Sequence, residues 1–224
     1  FWKYPQASTI NRELSCLRSM LVLVKNDKIL STMPVIRLSK EPNERDWVPS
    51  REEYDVLRKL LPPGYRDVLL GLWELGPRIS EVLHIPWAYV DLTSRTMTFR
   101  ETKTTSRRIP MSHAVYAAIQ QQPPDRDSPF PFSRDQWSYK FRKACKTADI
   151  RGLWTHDFRR GFITRKIDEG WDFKRIMLIT GHRDLSVFNR YNQPSFESLR
   201  DLVNTSTRGK RELSVDTSRQ QITR

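Results

Sequence analysis

Ile10, Leu14, Leu17, Leu21 and Val24 recur at three- and four-residue intervals, which puts one apolar stripe on a helix over residues 9–24. A lone amphipathic helix cannot bury such a stripe, so partner elements are expected. The pattern then lapses. Residues 38–46 are polar and carry Pro42, the composition of a linker, and a domain boundary is expected near residue 43. Ser50 and Glu53 have the spacing of a capping box, opening a helix that carries Tyr54, Leu57, Leu60 and Leu61. Pro62-Pro63-Gly64 stops it. Residues 65–75 read as a buried helix, broken at Gly76-Pro77 and restarting from Arg78 to His84.

The period changes over residues 89–110. Met97 and Phe99 alternate with Thr96, Thr98 and Arg100, and a polar turn leads to Arg108-Ile109-Pro110, which predicts a strand pair with Lys103 near its turn. Helices are expected at about 112–122, 134–148, 156–169 and 173–179, with another ending near Tyr191, and Gly170 stands where a helix C-terminal glycine belongs. The fold class is therefore mainly α with a small antiparallel β-sheet (α+β). Phe196, Leu199, Leu202 and Val203 form a short apolar stripe suited to docking on a neighbouring subunit. Residues 204–224 hold few large apolar side chains among Ser, Thr, Arg and Gln, so a flexible C-terminal tail is expected there.

Charge changes the picture more than composition does. Lys and Arg number 39 against 26 Asp and Glu, and the resulting +13 favours a polyanionic partner, nucleic acid before an anionic membrane. Cys16 and Cys145 are far apart and match no metal or redox spacing, which points to two reduced thiols, no metal site and a cytoplasmic setting. The longest apolar run, Met20–Val24, is far too short to span a membrane. The start, Phe1-Trp2-Lys3-Tyr4-Pro5, has no signal-peptide pattern and reads as a chain that begins mid-protein.

The candidate chemistry lies in an ordered series: Arg78 and Glu81, Lys103, His156 and Arg159, His182 and Tyr191. An arginine offers a planar fork of N–H donors that fits two phosphate oxygens and stays charged. A lysine can protonate a leaving oxygen, and a histidine can move a proton near pH 7. A phenol, with an ordinary pKa of about 10, needs such company before it can act as a nucleophile. Singly, each residue is more often an ion pair, a solvated charge or core packing. Together they point to covalent phosphoryl transfer.

That series resembles the tyrosine recombinase (phage integrase) family. Arg78-Ile79-Ser80-Glu81-Val82-Leu83, with Trp87 and Asp91 downstream, is similar to its first arginine box. Thr102-Lys103-Thr104 with Arg108-Ile109-Pro110 is similar to its lysine hairpin, and Thr155 to Tyr191 to its second box. Pro77, where a small or aliphatic residue is common, and Arg160, where histidine is frequent, depart from the pattern.

The resemblance implies a site-specific recombinase or integrase that cuts and rejoins DNA through a 3′-phosphotyrosyl intermediate, integrating or excising a phage or other mobile element. Tyr191 would be the nucleophile, Arg78 and Arg159 the phosphate clamps, Lys103 the general acid, and His156 and His182 the proton-transfer and phosphate-holding groups. Glu81 would orient the cluster without touching DNA. No cofactor and no metal are implied. The partners would be double-stranded DNA at recombination sites and three further copies in a synaptic tetramer, the chain being free to be monomeric off DNA. A bacterial or phage-encoded cytoplasmic protein is expected. Residues 1–42 would be the C-terminal part of a core-binding domain with its linker, 43–203 the catalytic domain and 204–224 the tail. Two rivals share the sequence features: a type IB topoisomerase, which relaxes supercoils by the same chemistry, and a basic DNA-binding module without catalysis.

Overall fold

The stripe of residues 9–24 becomes helix α1, Ala7–Asn26. A computed structural model of the chain describes residues 6–41, 47–100, 106–185, 188, 200 and 203. Lys103, Tyr191, residues 42–46, the tail and all of the 196–203 stripe except Val203 lie outside the described residues. By its internal contacts the chain divides into two compact units, Phe1–Asp46 and Trp47–Arg224.

In the first unit the buried residue of α1 is polar. Asn11 donates through Nδ2 to Ser39 O (2.8 Å) and Glu41 Oε1 (2.9 Å), and its Oδ1 accepts from Ser39 N (2.9 Å). One amide side chain thus satisfies the backbone of the extended segment after the helix. Leu17, Met20 and Leu23 of α1 are exposed.

The second unit holds α2 (Arg51–Leu60), α3 (Pro63–Leu75), α4 (Ile79–Val82), a 3₁₀ turn (Trp87–Tyr89), β1 (Val90–Asp91), β2 (Thr96–Arg100), β3 (Ser106–Pro110), α5 (His113–Gln120), α6 (Arg134–Thr147), α7 (Thr155–Asp168) and α8 (Phe173–Thr180). The expected capping box opens α2: Glu53 N donates to Ser50 Oγ and Ser50 N to Glu53 Oε2. Pro62 and Pro63 both stop α2 and start α3, because a proline at the first helical position loses no intrahelical bond. The helix expected from Arg78 to His84 shrinks to α4. Arg78 is its extended N-cap, and Leu83 already has strand-like backbone angles. The expected strand pair gains a third member, since two-residue β1 pairs antiparallel with β2 through Val90↔Met97. Two residues are too few to show an alternation in sequence.

Helix α3 is the centre of the core, with Val68, Leu69, Leu72 and Trp73 buried and α2, α5 and α7 packed around it. An aromatic chain extends that core toward the chemistry. Tyr54 stacks on Trp73 (4.4 Å), Trp73 and Phe141 each meet Phe158 edge-on, and Phe141 stacks on Trp137 (5.6 Å). Trp137 Nε1 then donates to Thr155 Oγ1 (2.9 Å), fixing the first turn of α7 against α6. Arg165 locks the far end of α7 to α3, its guanidinium 3.5 Å over the Trp73 ring and Nη2 donating to Trp73 O.

Gly76 ends α3 in the left-handed region, φ +59°, and a Cβ there would lie 2.6 Å from the buried Phe162 ring. Both facts penalise a side chain. Gly76→Ala is expected to destabilise the fold by about 2–4 kcal/mol, from left-handed strain and overpacking together, which chemical unfolding would measure.

Candidate active site

Pro77 follows the left-handed glycine and turns the chain outward, so Arg78 arrives at the N-cap of α4 with half of its side chain open to solvent, 45%. Glu81, one turn along, holds it from both ends: Oε2 accepts from Arg78 N (2.7 Å) and Oε1 from Arg78 Nη1 (3.0 Å). Arg78 also lines a cleft of about 620 Å³, together with His156, Arg134, Arg142 and Trp154 among others. The same carboxylate meets a second arginine. Arg107 of β3 donates through Nη1 to Glu81 Oε1 (2.9 Å) and through Nη2 to Oε2 (2.7 Å), and its Nε donates to Ile179 O (2.9 Å) near the end of α8. Burial alone would raise the Glu81 carboxyl, but the Arg107 fork and Arg78 hold it below the ordinary carboxylate range.

Helix α7 carries the second pair. Arg159 is almost fully buried, 1% exposed, which an arginine tolerates only with fixed acceptors. Its Nη1 donates to Gly76 O (3.0 Å), the carbonyl that the left-handed turn presents. Its Nη2 lies 3.2 Å from His182 Nε2 and 3.3 Å from Nδ1. His182 follows Gly181, which caps α8 at φ +75° and turns the chain back over the helix end. Thr180 Oγ1 donates to Ile176 O (2.8 Å), so its contact with His182 Nδ1 (2.9 Å) has Nδ1–H as donor. That assignment leaves Nε2 as an acceptor for Arg159, the neutral tautomer.

The electrostatics agree with it. Burial first, then the positive field of Arg159, Arg78, His156 and Arg107, pushes the His182 imidazole down to about 3. His156 is lowered by its crowded surround and then by Arg159, although the residue as a whole stays open to solvent on the cleft side. Both rings are therefore neutral at pH 7. A histidine of depressed pKa takes up its proton more readily when unfolded, so its contribution to stability is present above the ordinary histidine range and is lost as pH falls. The unfolding midpoint is expected to drop between about pH 6.5, the unperturbed value, and pH 4. His182→Gln should flatten that part of a thermal-shift profile.

The structure thus brings Arg78, Glu81, His156, Arg159 and His182 into one neighbourhood, and sequence reasoning missed Arg107. A signal existed: β3 pairs Phe99↔Arg107 and Met97↔Ile109, so alternation points Arg107 inward with Ile109 and Arg108 outward. A charge at an inward strand position demands a buried partner. Lys103 and Tyr191 lie outside the described residues. Among the described residues no group of three His, Cys, Asp or Glu could hold a metal ion, and no helix is long and apolar enough to cross a membrane.

The chain as a whole is similar to known proteins. The sequence model of the phage integrase family matches residues 64–198. The tyrosine recombinase XerC of Staphylococcus carnosus is 25% identical, with 92% of this chain and 77% of the relative covered. Among solved structures, the Tn1549 transposon integrase in complex with transposon right end DNA superposes with a TM-score of 0.74 at 18% identity, covering 91% of this chain and 80% of that one. The catalytic domain of bacteriophage HP1 integrase gives 0.57 at 21% identity, covering 70% and 93%. These two share the fold, mostly helical with a small antiparallel sheet.

Proposed function

The chain belongs to the phage integrase family, the tyrosine recombinases, and from that membership we propose that it cleaves and rejoins double-stranded DNA through a 3′-phosphotyrosyl intermediate, with Tyr191 as nucleophile. The observation that carries the reading is the clustering of Arg78 and Arg107 on Glu81 and of Arg159 on His182, beside a cleft lined by Arg78, His156, Arg134 and Arg142. Two arginine forks of different character suit a phosphodiester: Arg78 is open to the cleft, and Arg159 is fixed from behind.

In this reading the Tyr191 oxygen attacks phosphorus as its proton leaves toward His156. The P–O5′ bond breaks, Lys103 protonates the departing 5′ oxygen, and the DNA 3′ end stays on the tyrosine. Attack by a 5′-hydroxyl of a partner strand reverses the step. One ester replaces another of similar energy, so neither ATP nor a metal has a necessary role. Arg78 and Arg159 stabilise the extra negative charge of the five-coordinate phosphorus in a site that needs little reorganisation. His182 accepts from Arg159 in the free protein and so orients that guanidinium. A bound phosphate adds negative charge nearby, which raises the His182 pKa and favours proton uptake there.

The excess of cations, +13, fits a long phosphate backbone and predicts steeply salt-dependent binding. Recombination of two duplexes calls for four active sites, hence a synaptic tetramer. We assign residues 43–203 to the catalytic domain and 1–42 to the end of a core-binding domain with its linker. The action would be integration or excision of a mobile element. The test is covalent trapping: on duplex DNA with a nick beside the cleavage point, the short 5′-hydroxyl fragment diffuses away and a denaturant-resistant adduct on the 3′ end is expected. DNA binding with no adduct would overturn the catalytic reading, while plasmid relaxation by single subunits without recombinants would redirect it to a topoisomerase.

A further inference from the structure

We propose that Arg107 is a positioning residue for the phosphate site, setting Arg78 and His182 at once through its three-point contact with Glu81 and Ile179; this rests on the recombinase reading above. The geometry uses the whole guanidinium. Nη1 and Nη2 form a fork–fork pair with the two Glu81 oxygens, at 2.9 and 2.7 Å, while Nε donates to Ile179 O at 2.9 Å. The side chains of Arg107 and Glu81 are 9% and 7% exposed, so the pair is shielded from salt and solvent. Phe99 lies under the fork, its ring centroid 5.0 Å from the guanidinium carbon.

Each contact points at a group with a proposed role. Glu81 also grips Arg78 through Oε2 to the backbone and Oε1 to Nη1. Because Arg107 already engages both carboxylate oxygens, Arg78 is held by a single side-chain bond and keeps its other N–H groups for the cleft. Without Arg107, the buried carboxylate would draw the Arg78 fork onto itself and away from a phosphate. Ile179 directly precedes Thr180, whose hydroxyl accepts from His182 Nδ1. Holding the Ile179 carbonyl therefore fixes the turn from which His182 reaches Arg159. In sequence Arg107 follows Lys103 by four positions, so the strand that leaves the lysine segment is tied by this one side chain to both arginine modules. A lysine cannot replace it, since one ammonium lacks the planar fork and cannot span three such acceptors.

A purely structural pair would behave differently: a lysine keeps the buried Glu81 charge paired, so a structural role predicts at most a lower unfolding midpoint, whereas a positioning role predicts slower chemistry at full occupancy. The experiment compares Arg107→Lys with the parent in single-turnover adduct formation at saturating nicked DNA, with thermal unfolding and DNA affinity measured alongside. The expected result is adduct formation slowed about 30-fold or more, the scale of a lost charge-assisted hydrogen bond, at nearly parental affinity. In an Arg78→Lys background the same change should cost less than about threefold, since the two then share one pathway. Parental rates for Arg107→Lys, or costs that add fully to those of Arg78→Lys, overturn the proposal. A readout without turnover separates it from the recombinase reading. Arg107→Lys preserves charge, so displaced His182 ring ¹⁵N resonances at neutral pH report lost geometry, and unmoved resonances overturn the positioning role even if the parent forms no adduct.

Discussion

Tyr191→Phe is expected to abolish the covalent adduct while leaving DNA affinity almost unchanged. The substitution removes one oxygen and keeps the ring, so nothing that neutralises DNA charge is touched. The affinity change should stay within about 0.5 kcal/mol, the scale of a neutral surface substitution. The rate has no such cushion. Without the phenol oxygen there is no atom to bond phosphorus, and the fixed cations can only bind the scissile phosphate. A loss of at least about 10⁴-fold follows from what removal of a nucleophile does in other covalent enzymes. Denaturing gels with 3′-end-containing labelled DNA measure the adduct, and filter binding at one fixed salt concentration measures affinity. An adduct that survives Tyr191→Phe would require another nucleophile, and the assignment of residue 191 would then fall.

Much of the scaffold could be read from residue patterns, and the reasons differ by element. The α2 start was legible because a capping box is a local reciprocal pair, Ser50 with Glu53, that needs no tertiary partner. Helix α7 was legible from its punctuation, with Gly170 following it at φ +79°. The true length of α4 was not, because what ends it is an extended backbone at Leu83, a residue that itself favours helix. Likewise β1 is defined by its partner, not by two residues of pattern. For the site, the order Arg78, Glu81, His156, Arg159 and His182 was visible, but the difference between the two arginines was not. Burial of Arg159 at 1% against an Arg78 side chain open by 45% comes from α7 packing on α3, a long-range event. Arg107 was hidden because an arginine between Ser106 and Arg108 reads as one more exposed charge, and its inward parity is set by the Phe99↔Arg107 register with β2.

That difference in burial makes Arg159→Lys the more informative arginine change. Arg159 spans two acceptors on separate elements, Gly76 O on the α3 cap and His182 on the α8 cap. A lysine can reach one of them, leaving the other a buried group without its bond and the phosphate with one fork fewer. Single-turnover cleavage is expected to fall about 10²–10³-fold, equivalent to about 2.7–4 kcal/mol of barrier, as when one donor to a developing oxyanion is removed. Thermal unfolding should also move down, because the two caps lose their shared tie. Arg78→Lys should slow cleavage with little change in the unfolding midpoint, as its guanidinium is open to solvent and bonded through one nitrogen. The contrast is the test: equal stability losses for the two lysine variants would mean that Arg159 is not the buried link between the helix ends. A parental cleavage rate for Arg159→Lys would mean that charge alone, without the fork, suffices at this phosphate.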